Sequence, residues 1–180
     1  MLVSLLAVLI AVPGSSLHPR AHRAPPLPAV ARRISDAEIL GTLGTADANE
    51  IEAAKLASTK AHSQEVRDYA NMLLRDHQQS LNLGLQLAKD LGIAPILPSD
   101  SAMTRAHKQE MDQLNLSSAV QFDKAFVQDM VADHKMVINK VDTVLLPGAS
   151  HPQVKAFIRK IQPTLAMHEA KGLAWLDKQK

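Results

Sequence analysis

Three histidines and one glutamate carry most of the chemistry that this sequence offers. His77 interrupts the series Val66, Ala70, Leu73, Ser80, Gly84, and His134 interrupts Phe122, Phe126, Met130, Val137, Val141. His168 interrupts Phe157, Ile161, Leu165, Gly172, Trp175, while Glu50 falls between Ala46 and Ala53 in a fourth series. The steps are largely of three, four or seven residues, the period of one helix face. All four polar side chains therefore stand on faces that are otherwise apolar or small. Neutral imidazole donates a lone pair to zinc, copper or iron, and a carboxylate adds a hard, charge-compensating ligand. Four buried polar groups are costly unless paired, and one transition-metal ion would pair them all. The competing account is a metal-free Glu–His network that fixes helix register. A metal site predicts four side-chain tips within about 4–5 Å of a common point, given ligand bonds near 2 Å. Direct bonds from His77 and His168 to acidic side chains would favour the structural network.

The remaining candidates are weaker. Asp76 and Asp133 each precede one of these histidines and lie about 100° round the helix, facing a neighbouring helix rather than the same site. His62 and His151 fall at turns, and His107 in a connector, where solvated positions are expected. Met72, Met103, Met111, Met130, Met136 and Met167 read as packing rather than as copper(I) ligands.

Four long helices must position the site. Ser35-Asp36-Ala37-Glu38 has the form of a capping box, and the first helix ends near Ser63. A second runs from about Gln64 to Leu91 and stops at Gly92, with Pro95 and Pro98 beyond. Residues 99–115 form a weaker helical stretch, read as a short connector crossing one end. A third long helix opens at Ser118-Ala-Val-Gln121 and breaks at Pro147-Gly148; a fourth starts near Ser150, with Pro152 in its first turn. The short turns at 62–64 and 147–151 make each pair antiparallel, and the 92–117 stretch joins the pairs. This is an all-α, antiparallel four-helix bundle with one extended crossover, the ferritin-like connectivity. Counted from the turns at about 1.5 Å per residue, Glu50 and His77 share one height, and His134 and His168 differ by roughly one turn.

Ahead of the bundle (35–180), residues 1–16 hold the apolar run Leu2–Val12 followed by Pro13-Gly14-Ser15-Ser16. The run is too short to span a bilayer and reads as a secretory signal peptide, although no Lys or Arg precedes it. Residues 17–34 carry Pro19, Pro25, Pro26 and Pro28 with four arginines, and read as a linker in which His18 and His22 are solvated. Export is therefore expected, with no transmembrane segment in the mature protein. The chain has no cysteine, which excludes disulfides and thiolate sites. From Ile34 onward sixteen basic residues face eighteen acidic ones, and no basic patch suggests nucleic acid. No phosphate loop, dinucleotide fingerprint or Ser-His-Asp order supports an enzymatic reading.

The run Ala48-Asn-Glu50-Ile-Glu-Ala-Ala-Lys-Leu56-Ala57, then Ser63-Gln-Glu-Val66-Arg-Asp-Tyr-Ala70-Asn-Met72-Leu-Leu-Arg-Asp76-His77, resembles the bacterial domain of unknown function 4142 family. Phe122-Asp123-Lys-Ala-Phe126-Val-Gln-Asp-Met130-Val-Ala-Asp133-His134 and the late His168 are similar to its second half. The resemblance spans about 35–178. It implies a ferritin-like bundle, periplasmic or associated with the outer membrane, with no established reaction, and its recurring Glu and His positions match Glu50, His77, His134 and His168. The sequence contains no Glu-x-x-His, so a di-iron centre is not expected. A protein partner in the envelope fits either reading of the site.

Overall fold

The computed structural model describes residues 33–98 and 102–180; the expected signal peptide and nearly all of the linker lie outside them. The elements among the described residues are all helical, in the order α1 (Asp36–Lys60), α2 (Gln64–Asp90), α3 (Ala102–Leu116), α4 (Ala119–Lys140), a π-helical turn (Val141–Leu145), α5 (Leu146–Gly148) and α6 (Pro152–Asp177).

The helix ends follow local chemistry. Ser35 Oγ accepts from the Glu38 amide at 3.3 Å while Glu38 Oε2 accepts from the Ser35 amide at 2.9 Å, completing the capping box. Ser63 caps α2 through its side chain. Gly92, at φ 63°, ends α2 in the left-handed conformation that glycine adopts without cost, and the Ile93 amide returns to Ala88 O. His151 caps α6 by accepting from the Gln153 amide, so it is not merely a solvated turn residue. Two carboxylates pin the tight turns from a distance. Asp123 on α4 accepts from the His62 and Ser63 amides, and Asp36 accepts from those of Ser150 and His151.

α1 lies along α2, and α4 along α6, with α2–α6 and α1–α4 contacts closing the set. The core is divided in two. One apolar cluster holds Ile39, Leu43, Val137, Val141, Phe157, Ile161 and Leu165. The other holds Ala57, Val66, Ala70, Leu73, Phe122, Phe126 and Met130. Each long helix passes from one cluster to the other, and the residues at the crossing point are Glu50, His77, His134 and His168. Ile34, assigned to the linker, packs against the first cluster.

Two expectations need correction. α3 does not cross an end. His107 pairs with Glu52, and the Leu114 and Asn115 carbonyls accept from Lys60 Nζ, so α3 runs lengthwise beside α1. The same pairing leaves the His107 side chain only 13% exposed, rather than solvated. The third long helix, moreover, passes through a π turn before Pro147-Gly148, a local underwinding that no sequence signal marked. None of the described helices is long and apolar enough to cross a membrane.

Candidate metal centre

Glu50 on α1, His77 on α2, His134 on α4 and His168 on α6 are 4%, 3%, 0% and 0% exposed. Each histidine offers one nitrogen within 4.8 Å of the other two, and the ring centroids lie 5.1–5.4 Å apart. A point equidistant from three atoms at that maximal spacing is about 2.8 Å from each. Inward movements of less than ~1 Å would thus reach metal–nitrogen bonds of about 2.0–2.1 Å. Glu50 stands beside this trio rather than within it. Its Oε2 is 3.6 Å from His77 Nε2 and its Oε1 3.4 Å from His134 Nδ1.

The outward-facing nitrogens are fixed by their neighbours. His134 Nδ1 is 2.7 Å from the Met130 carbonyl, which can only accept, so Nδ1 carries the hydrogen. His77 Nδ1–H donates to Asp47 Oδ1 at 2.9 Å, and His168 Nε2–H donates to Asp76 Oδ2 at 3.1 Å. On neutral rings the remaining nitrogens, His77 Nε2, His134 Nε2 and His168 Nδ1, then hold lone pairs directed into the cluster.

This arrangement is unsatisfied as it stands. His77 Nε2 and Glu50 Oε2 are buried without a hydrogen-bond partner. His134 Nε2 and His168 Nδ1 face each other at 3.1 Å. Burial, with the neighbouring His77, holds the His134 imidazole down at about 3, and burial foremost holds His168 at about 4, so neither is protonated near neutrality. Placing the His168 hydrogen on Nδ1 would only move the lone-pair clash to Asp76. Burial pushes the Glu50 carboxyl up to about 7, against the pull of His77. His77 moves the other way from its fellow histidines: burial lowers it, but Glu50 and Asp47 together outweigh burial and raise it.

The tips of three of the four residues, the histidines, converge, with Glu50 beside them, and His77 and His168 each bond a carboxylate. The two facts are compatible because the carboxylates take the outer nitrogens. Outer partners that fix the tautomer and orientation of ligand histidines are the usual surroundings of a metal site. Asp76 does reach a neighbouring helix, through His168. Asp133 instead meets Glu110 on α3, and burial with Glu110 raises it to about 8. Asp47 was missed; its one sequence signal is its position three residues before Glu50, on the same helix face. Among the methionines, Met130 packs in the core and Met167 lines a cleft beside His77 and His168.

An all-helical chain with a buried three-histidine cluster at mid-height is the class that fold and site define. The chain belongs to the family described as domain of unknown function (DUF4142), whose model matches residues 20–174. That match begins inside the proline- and arginine-rich segment, earlier than the resemblance in the helices alone. A solved structure titled "CopM in the Cu(II)-bound form" is similar in fold, with a TM-score of 0.68 at 16% identity, covering 83% of this chain and 100% of that one. No curated protein matches the chain.

Proposed function

We propose that the protein is an exported, ferritin-like antiparallel four-helix bundle that holds one transition-metal ion through His77, His134 and His168, with Glu50 supplying the fourth, charge-compensating position. The observation that carries this reading is the convergence of one nitrogen from each of three buried rings, with His77 Nε2 lacking any hydrogen-bond partner, on rings whose outer nitrogens are already bonded. Three neutral imidazoles and a carboxylate suit zinc and copper(II), and copper(II) binds such donors more tightly than zinc. The copper(II) in the structurally similar CopM points the same way. With Glu50 bound, a four-coordinate ion has no open position, which favours metal handling or storage in the envelope over turnover. Export rests on the apolar run Leu2–Val12.

A second reading has one observation in its favour. The His77–Asp47 and His168–Asp76 bonds would also hold a metal-free polar layer that sets helix register. Elemental analysis of untagged protein covering residues 34–180 separates the two, compared with a variant in which His77, His134 and His168 are all alanine. Near-stoichiometric metal in the parent alone supports the site and names its ion. No metal in the parent after loading with zinc, copper and iron in turn leaves the structural layer.

A further inference from the structure

A cleft of about 260 Å³ lies between α2 and α6 and reaches the histidine cluster from outside. Ser80 and Thr164 form its walls, and Met167 lies against it. His77, His168, Asp47 and Asp76 are also among its lining residues. On the opposite side of the cluster, the cavity that touches Glu50, Glu110 and Asp133 holds only about 20 Å³, room for about one water, and α3 lines it through Met103, Ala106 and His107.

We propose that the α2–α6 cleft is the route by which a divalent transition-metal cation enters and leaves the cluster. The inference rests on the metal-holding reading above and adds the path to it. A hydrated cation exchanges its water for ligands one at a time, so a path must offer donors in sequence. Here the outer donors are Asp47 and Asp76, the latter with an 18%-exposed side chain, and the inner ones are the ring nitrogens beyond them. Asp47 and Asp76 put two carboxylates on this lining, opposed by the exposed amine of Lys160 and by Arg75, whose Nε pairs with Asp76 Oδ1 at 3.0 Å and leaves Oδ2 to His168. The His77 and His168 rings, 5.1 Å apart between centroids, separate the cleft from the inward lone pairs. His168 is held on this side by one side-chain bond, to Asp76, at the part-buried margin of the cleft. When that bond opens, the ring is free to turn, meet the cation at the cleft and carry it inward, after which Asp76 restores the outer bond. α3 and the Glu110–Asp133 pair offer no comparable opening.

The test is stopped-flow loading of the apo-protein with zinc or copper(II) alone, and release into a chelator. Thr164→Phe and, on the facing helix, Ser80→Phe fill the cleft at positions that are not themselves proposed ligands; Thr164→Ala widens it. Helical content measured by circular dichroism confirms that each variant is folded. The expected result is association and dissociation both slowed by about tenfold in the filled variants. Kd should stay within about twofold, because both rates change together, and the alanine variant should load faster than the parent. Parent-like rates in both filled variants would overturn the route and place it on the α3 side. A slower loading matched by an equal loss of affinity would also overturn it, since the site rather than the path would have changed. A parent that binds no ion overturns the underlying reading as well, so the two failures are distinct.

Discussion

Replacing Glu50 with glutamine separates the two readings of the polar layer. In the folded apo-protein the Glu50 carboxyl lies at about 7 against an ordinary 4.5, raised by burial first and opposed by His77. A carboxyl raised on folding contributes stability that is complete below pH 4.5 and is lost as pH climbs through 7. At about 1.4 kcal/mol per unit, the difference between pH 4.5 and pH 8 is about 3 kcal/mol. Glutamine cannot ionise, so Glu50→Gln should leave apo stability nearly unchanged at pH 5 and raise it at pH 8 by up to ~3 kcal/mol. The amide keeps an oxygen near His134 Nδ1 and gains a hydrogen for the unpartnered His77 Nε2, which adds to the gain. The metal-loaded form should respond oppositely, because an amide is a poor ligand and carries no compensating charge. Urea unfolding at both pH values, with chelator and with saturating metal, reads all four numbers. If the variant is less stable than the parent at pH 8 with chelator present, Glu50 belongs to a satisfied metal-free network and the proposed site is wrong.

Two further outcomes follow from the same geometry. Asp47→Ala and Asp76→Ala each remove the group that fixes one ligand tautomer, so metal affinity should fall about 10–100-fold; competition against a chromophoric chelator checks it, and an unchanged Kd would show that these bonds orient nothing. Gly41→Ala would drive a Cβ into the Ile96 carbonyl, where the chain leaving α2 crosses α1. Backbone must move there and the Ile96–Ala37 hydrogen bond with it, so a loss of about 1–3 kcal/mol is expected by denaturant unfolding.

The sequence made some elements plain and hid others for a common reason. Long helices and their ends are written in near neighbours. The Ser35–Glu38 cap, Gly92 and the histidines that break apolar stripes all act within a few residues of themselves. The partnerships that were missed act between helices. Asp47 meets His77 thirty residues away and Asp76 meets His168 ninety-two away. Asp36 reaches the turn before α6 from more than a hundred residues off. A helical period shows that a polar residue faces a seam, but not which side chain it meets across it. The direction of α3 was hidden likewise: the stretch from Gly92 to Ala102 is long enough to start the connector at either height, and contacts with Glu52 and Lys60 decide it.

The position of the histidines explains why occupancy should matter to the whole fold. A polar layer at one end of the helices would leave a single continuous core; this one divides the apolar residues into two clusters of similar size. Without an ion, the layer between them contains partnerless polar atoms and a buried carboxyl raised in pKa, so the two halves meet across unpaired polar groups. With an ion, one centre ties α2, α4 and α6 together at that same height, and α1 as well where Glu50 completes the shell. Binding free energy is then folding free energy, about 2.7 kcal/mol at a free-ion concentration of 100 Kd. A metal-free register device needs none of this tension, since paired donors and acceptors would fix the helices equally well. The unsatisfied inner face is what a metal-binding layer requires and what a purely structural layer would avoid.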